Sequence, residues 1–524
     1  MIAKCLSGAV WGVNARAVEI EVYVQVATSA FAIVGLPDTA VKEARDRIPT
    51  ALKNYGFKPG KEYAVTVNLA PADLKKEGPL YDLPIAVCLL KALGVVRLDN
   101  LDDYAMVGEL SLAGEVRRVN GVLPIVLEMK RLGKRAVLVP YDNLMEASVV
   151  DGIDVIPVRT LAEAIMYLNG DTHIAPVHSD LGQLVALSQQ DGDDFADVKG
   201  QERVVRAMEI AVAGGHNILM VGSPGSGKTM IARRVPTILP TITVEEALEV
   251  SRIHSVAGAA KGALPFVTAR PFRAPHHTIS AIGLLGGGTR PTPGEVSLAH
   301  RGVLFLDEFA EFPRNVLEVL RQPLEDGHVG VARALGAQDY PSRFMLVAAM
   351  NPCPCGYLHD STHVCHCKPG RILQYRSRIS GPLMDRIDIQ VGVEAVPLKD
   401  LQTARRCRSS AEIRANVMRA RAVQAARYQG MPGVLTNSEA KSRDLPQICG
   451  LDGGTCKLLE NLADALKLSA RAYDRILKVS RTIADLAGHA KVEAADIEEA
   501  ALLRQLDMEQ EGDFAGASLF NPNH

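Results

Sequence analysis

Gly222-Ser223-Pro224-Gly225-Ser226-Gly227-Lys228-Thr229 follows directly on the apolar run Ile218-Leu219-Met220-Val221. The pattern is a glycine, four free positions, then Gly-Lys-Thr, set between a strand and a helical stretch. Its glycines let backbone N–H groups turn inward around phosphate oxygens at the positive end of a helix dipole. Lys228 supplies a cation to the β- and γ-phosphates, and Thr229 offers a hydroxyl to Mg²⁺. A glycine-rich turn with no ligand would not need the whole pattern. The reading is an ATP site, with all eight residues of the loop in contact with the nucleotide.

Further along, Val303-Leu-Phe-Leu306 ends in Asp307 and Glu308. Two adjacent carboxylates at the end of a buried strand are costly unless a metal or a catalytic role compensates. Asp307 is assigned to the Mg²⁺ shell and Glu308 to polarising the attacking water. A third apolar strand, 344–349, leads to Asn351. Short apolar strands separated by helical stretches predict a parallel sheet with helices on both faces. The fold class is therefore α/β, with a P-loop core over 195–430.

Working outward, residues 431–507 carry apolar positions at helical spacing and predict a helical lid with helices over 455–468, 470–487 and 493–505. Residues 508–524 read as a polar, mobile tail. Upstream, 171–194 reads as a linker ending in a solvated acidic run. Residues 1–170 form an α+β domain. There Val18, Ile20, Val22, Val24 and Val26 alternate with polar residues as in a half-buried strand. Helices are expected at 38–55, 82–93, 121–132 and 160–168.

The 524 residues suit about three domains. A net charge of −2 excludes a chain that is basic all over, though not a nucleic-acid contact confined to one face. No apolar run is long enough to span a membrane, and the N-terminus lacks an export signal. Nine cysteines, an odd count, suit a reducing, cytoplasmic setting.

Four of these cysteines crowd together as Cys353-Pro-Cys355 and Cys365-His-Cys367. Four thiolates suit tetrahedral Zn²⁺, with His359, His363 or His366 as substitutes for one of them. Four free thiols on a loop are the alternative. Residues 371–427 are rich in arginine, and charged helix faces explain that as well as DNA does. His276 and His277, being adjacent, are expected to point apart and to serve as structural or loop residues.

These motifs resemble AAA+ ATPases. Val303–Glu308 is similar to their Walker B element and Asn351 to sensor 1, whose polar side chain holds the lytic water. Met384-Asp-Arg-Ile-Asp388 is similar to the arginine-finger segment of chelatase-type members, which gives Arg386 the role of reaching a neighbour's γ-phosphate. Leu468–Arg475 resembles the sensor 2 helix, with Arg471 as the sensor and Arg475 as runner-up. An arginine supplied in trans implies a ring, hexameric by resemblance.

Arg270-Pro-Phe-Arg-Ala-Pro-His-His-Thr-Ile-Ser280, Gly286–Gly288 and Pro293–Ser297 resemble the magnesium-chelatase-like branch. With the N-terminal domain, the whole chain resembles the ComM (YifB) family. That resemblance implies a hexameric helicase that binds DNA without sequence preference and drives branch migration in homologous recombination and natural transformation, alongside recombination proteins. The competing reading is a chelatase-like or protein-remodelling motor that does not act on DNA. Residues 328–349 read as a hairpin similar to the pre-sensor-1 hairpin of minichromosome maintenance helicases. Arg333 takes the pore-facing position there, and Arg343 is a second DNA candidate.

Residues 1–168 resemble the proteolytic domain of Lon-type proteases and the S5-type fold. Gly108–Val116 and Val139-Pro140 carry the likeness, yet the nucleophile position falls on Leu80 and the general-base position on Leu123. Leucine can neither attack a carbonyl nor accept a proton, so no peptidase activity is expected.

Overall fold

The computed structural model describes residues 1–504 except 58–61, 188–192, 260–265, 289–291, 332–337, 359, 361–362, 397–406, 432 and 466–467. Arg333, His359 and the expected tail lie outside the described residues.

The N-terminal domain is built on a seven-stranded mixed sheet. Its order is Ala30–Val34, Tyr63–Ala70, Asn14–Val26, Ile2–Trp11, Tyr104–Met106, Ala136–Pro140, Asp154–Val158. The alternation in the second strand holds in space. Val18, Ile20, Val22 and Val24 are fully buried, and Ile20 sits between Cys5 and Leu69 on its two neighbours. Val26, at the strand's end, is exposed. Helices Asp82–Ala92 and Val122–Arg131 pack on this sheet.

The core sheet has five parallel strands in the order Phe272–Arg273, Val303–Leu306, Met345–Met350, Ile218–Gly222, Ile389–Val393. Two of these, the first and the last, were not expected from the sequence. Side chains alternate between two cores. Ile218, Met220, Val303, Phe305, Val347 and Ala349 join one hydrophobic cluster, whereas Leu219, Leu304, Leu306, Leu346 and Ala348 join another. Strands buried on both faces read as continuous apolar runs for this reason.

The first of these clusters also takes in Ile476, Leu477, Ile483 and Ile497, so the C-terminal helices Ala470–Ala487 and Ala494–Leu502 share the core's own interior. Helix Gly453–Ala465 stands beside them.

The stretch 171–194 is more than a connector. It carries helix Leu181–Leu187, whose Leu181 and Val185 are buried in the N-terminal domain's core. Its acidic end is not simply solvated. Asp194 accepts from Ala196 N (2.7 Å) and Ser410 N (2.9 Å), contacts that hold its carboxyl below the usual range. Asp193 lies 3.4 Å from Arg234.

Helix Val244–Val256 joins the two domains, since its Ala247 and Val250 are buried in the N-terminal core. Gly121 N donates to Ser255 O (3.1 Å), and Ser255 Oγ donates to the buried Glu146 carboxylate (2.5 Å). No helix among the described residues is long and apolar enough to cross a membrane.

Candidate ATPase site

The phosphate loop leaves the C-terminal end of strand Ile218–Gly222 and enters helix Lys228–Ile238. Gly225 and Gly227 adopt φ of +78° and +95°, which a side chain would oppose. Lys228 is buried, and its ammonium donates to Gly222 O (2.7 Å), Ser223 O (2.8 Å), Ser226 Oγ (3.4 Å) and Asn351 Oδ1 (3.3 Å). Burial lowers its pKa, and the charge of Asp307 pulls the other way. These partners are weak neutral acceptors that phosphate oxygens can replace.

Thr229 Oγ1 donates to Asp307 Oδ2 at 2.6 Å. A hydroxyl and a carboxylate brought together from two adjacent elements are the hard oxygen donors that Mg²⁺ takes. When bound, the ion neutralises charge on the β- and γ-phosphates. Thr229 and Asp307 would hold it.

The acid pair differs from the expected buried pair. Asp307 is half-buried, and the Glu308 side chain is 55% exposed. The pair sits where the strand has already reached the surface, so the carboxylates keep water. Glu308 has φ +51°, a strained setting for a residue with a Cβ, and its own N–H donates to Asp307 Oδ1 (2.9 Å).

Sequence reasoning missed His277 here. Its Nδ1 lies 2.9 Å from Glu308 Oε2. The two histidines do not point apart, because their rings stand 4.1 Å from centroid to centroid, and Phe312 meets His277 edge-on. The adjacency of His276 and His277 after strand Phe272–Arg273 was visible; what they faced was not.

Arg386, Arg471 and Arg475 lie at the other end of the sheet. They line a cleft of about 540 Å³ with Asn217, Gly302 and Met345, which precede or open the core strands. Arg386 donates to Pro382 O (2.7 Å) and pairs with Glu325. Arg475 is spent on Asp388 (2.7 Å), which also faces His216 (3.3 Å). Burial works against that carboxylate, yet these partners keep it well below the usual range. Arg471 is exposed, 3.6 Å from Asp385.

Arg343 stands in the same cleft, hydrogen-bonded to Gly433 O (3.1 Å) and 3.7 Å from Glu439. It therefore faces the 433–439 stretch from beyond the paired strands His328–Val331 and Gln338–Pro341. The arginine-rich stretch is largely engaged within the chain: Arg378 with Glu311, Arg408 with Glu209, and Arg427 with Asp485. That favours charged helix faces over a DNA surface there.

Cys353, Cys355, Cys365 and Cys367 converge, with all four Sγ atoms within 4.8 Å of one another. His363 is turned instead to Asp360 (3.4 Å) and stacks on Tyr357.

The chain matches the family models for magnesium chelatase subunit ChlI over residues 194–401, for the ChlI subunit of Mg-chelatase over 20–143, and for the ChlI C-terminal region over 407–504. It is 43% identical to the competence protein ComM of Haemophilus influenzae over 94% of this chain and 95% of that one. The chain belongs to the ComM/YifB family of magnesium-chelatase-like AAA+ proteins. A second ComM/YifB relative, YifB of Escherichia coli, is 40% identical over 95% of this chain and 96% of its own. A segment of Lon protease 2 of Bacillus subtilis is 30% identical over 27% of this chain and 26% of that protein. ComM/YifB membership makes the chain an ATP-binding AAA+ protein with a Lon-like N-terminal domain. Leu80 and Leu123, expected from the Lon resemblance at the two dyad positions, are buried in that domain's core.

Proposed function

We propose that this protein is an ATP-driven motor that assembles as a closed hexameric ring and moves along DNA, promoting branch migration during recombination. The observation that carries this reading is the separation of the site's two halves. Lys228, Thr229, Asp307, Glu308 and Asn351 gather at the C-terminal ends of the core strands, and Arg386 and Arg471 at their N-terminal ends. A five-residue strand spans about 17 Å, too far for an arginine to reach round to its own phosphates. Arg386 and Arg471 therefore act on a neighbour's nucleotide, and turnover needs the ring.

In the chemical step, Glu308 takes up the proton of the attacking water, Asn351 holds that water, and Lys228 and the neighbour's Arg386 stabilise charge on the transferring phosphoryl group. His277 holds Glu308 aside between turnovers. DNA is the substrate because the Haemophilus relative is named a competence protein, and Arg333, by resemblance to the pre-sensor-1 hairpin, is its phosphate contact. The ChlI matches favour a second reading, a magnesium-chelatase-like or protein-remodelling motor that does not act on DNA.

The cysteine cluster holds Zn²⁺. Sγ separations of 3.4, 3.7 and 3.6 Å are far longer than a disulfide bond. They match the ~3.8 Å edge of a tetrahedron with ~2.3 Å zinc–sulfur bonds.

The test is ATPase rate with and without forked or four-way-junction DNA at two salt concentrations. Strong, salt-sensitive stimulation supports the DNA motor. No stimulation at either salt transfers the assignment to the second reading.

A further inference from the structure

Between the two cysteine pairs the chain forms no helix or strand among its described residues, so its shape rests on side chains. It nevertheless makes a close contact with the ATP site. Gly356 has φ +87°, and its N–H donates to Cys353 O (2.9 Å). A Cβ placed there would lie 2.5 and 2.6 Å from Cδ and Cγ of Pro224, in the middle of the phosphate loop, and 3.8 Å from Cγ of Asn351. Asn351 in turn accepts from Lys228 (3.3 Å). The backbone next to Cys355 is thus laid flat against both the loop that cradles phosphate and the residue that reads it. On the far side, Arg376 Nε donates to Pro352 O (3.3 Å), tying helix Pro369–Arg376 to the first cysteine pair.

We infer that the four-cysteine site is a metal-dependent clamp: Zn²⁺ fixes the 353–367 loop against Pro224 and Asn351, and nucleotide affinity depends on its occupancy. This rests on the zinc reading given above. A tetrahedral crosslink between Cys353, Cys355, Cys365 and Cys367 restricts the backbone on either side of each ligand, Gly356 included. With the crosslink gone, the wall behind Pro224 loosens and the phosphate loop loses one of its supports.

The full chain, purified without a histidine tag, is assayed for zinc by elemental analysis and for nucleotide affinity by titration with a fluorescent ATP analogue in excess Mg²⁺. Both are repeated after zinc is stripped with a thiol-directed mercurial and after reduction and return of Zn²⁺. The expected result is about one zinc per chain. Stripping weakens nucleotide binding about tenfold, and Zn²⁺ restores it where Mg²⁺ does not. Gly356→Ala separates metal from clamp: it should keep its zinc and still lose affinity. Gly370→Ala, where a Cβ meets nothing within 4 Å, should change neither. A chain without zinc overturns the metal reading and the clamp with it. Unchanged affinity both after stripping and in Gly356→Ala overturns the clamp and leaves the metal reading standing. If stripping unfolds the chain, the Gly356→Ala titration decides alone.

Discussion

The N-terminal domain and the ATPase core share a local plan, a strand followed by a loop and then a helix, with buried charge beside the loop. In the N-terminal domain the loop joins Tyr63–Ala70 to Asp82–Ala92. Asp82 is buried there and closed by Arg47 (2.8 and 3.1 Å) and by Leu110 N (3.2 Å). Burial nevertheless pushes the Asp82 carboxyl up to about 6. In the core the loop carries Lys228, whose partners are two carbonyls, a hydroxyl and an amide oxygen, and the nearby Glu308 is exposed. Charge that is closed by an opposite charge holds a fold together. Charge left with replaceable partners, at a surface that water reaches, is available for chemistry.

The strongest way to break this contrast is Glu308→Gln. If the exposed carboxylate is the base, hydrolysis falls about 10³-fold while ATP still binds and assembled rings accumulate. Full turnover in a steady-state phosphate-release assay would remove Glu308 from the mechanism. Lys228→Ala should instead lose productive nucleotide binding, seen by direct titration.

Arg386→Ala should cost a similar ~10³-fold in hydrolysis, and it asks where the second half of the site lies. Its nucleotide affinity should stay near that of the unaltered chain, because the phosphate loop is untouched. Mixing Arg386→Ala chains with Lys228→Ala chains should recover part of the activity, since some interfaces then pair an intact Lys228 with an intact Arg386. No recovery on mixing would place the arginine in its own chain's site.

Much of this was legible because it is local. The alternation Val18–Val24, the three apolar strands, the phosphate loop and the paired acids are each contained in a few consecutive residues. What was missed depends on partners far apart in the chain. Strand Phe272–Arg273 is only two residues long and shows no periodicity. The acidic run at 193–194 looked solvated because Arg234 and Ser410 are distant in sequence. The partner of Arg475, Asp388, is 87 residues away and was not visible from the sensor 2 motif. Glu308 was expected to be buried because its strand is; its exposure follows from where the strand ends.

Arg47→Ala tests the closed half of the comparison. It leaves the Asp82 carboxylate, with 1% of its side chain exposed, without its cation. The expected cost is about 3 kcal/mol of N-terminal domain stability, read as a lowered urea midpoint. Hydrolysis per folded chain should change little at 25 °C. A large loss of ATPase activity at full folding would show that the N-terminal pair speaks to the core through helix Val244–Val256.

The smallest effect belongs to His277, whose ring faces Glu308. Its contact with Glu308 is a partly exposed pair, the class worth about 1 kcal/mol or less. A contact of that strength can delay a base without disabling it. His277→Ala should therefore raise basal hydrolysis by about threefold in the absence of DNA, with nucleotide affinity unchanged. If His277 instead orients Glu308 for attack, the same substitution lowers hydrolysis both with and without DNA. The sign of the change decides whether the histidine restrains the base or presents it.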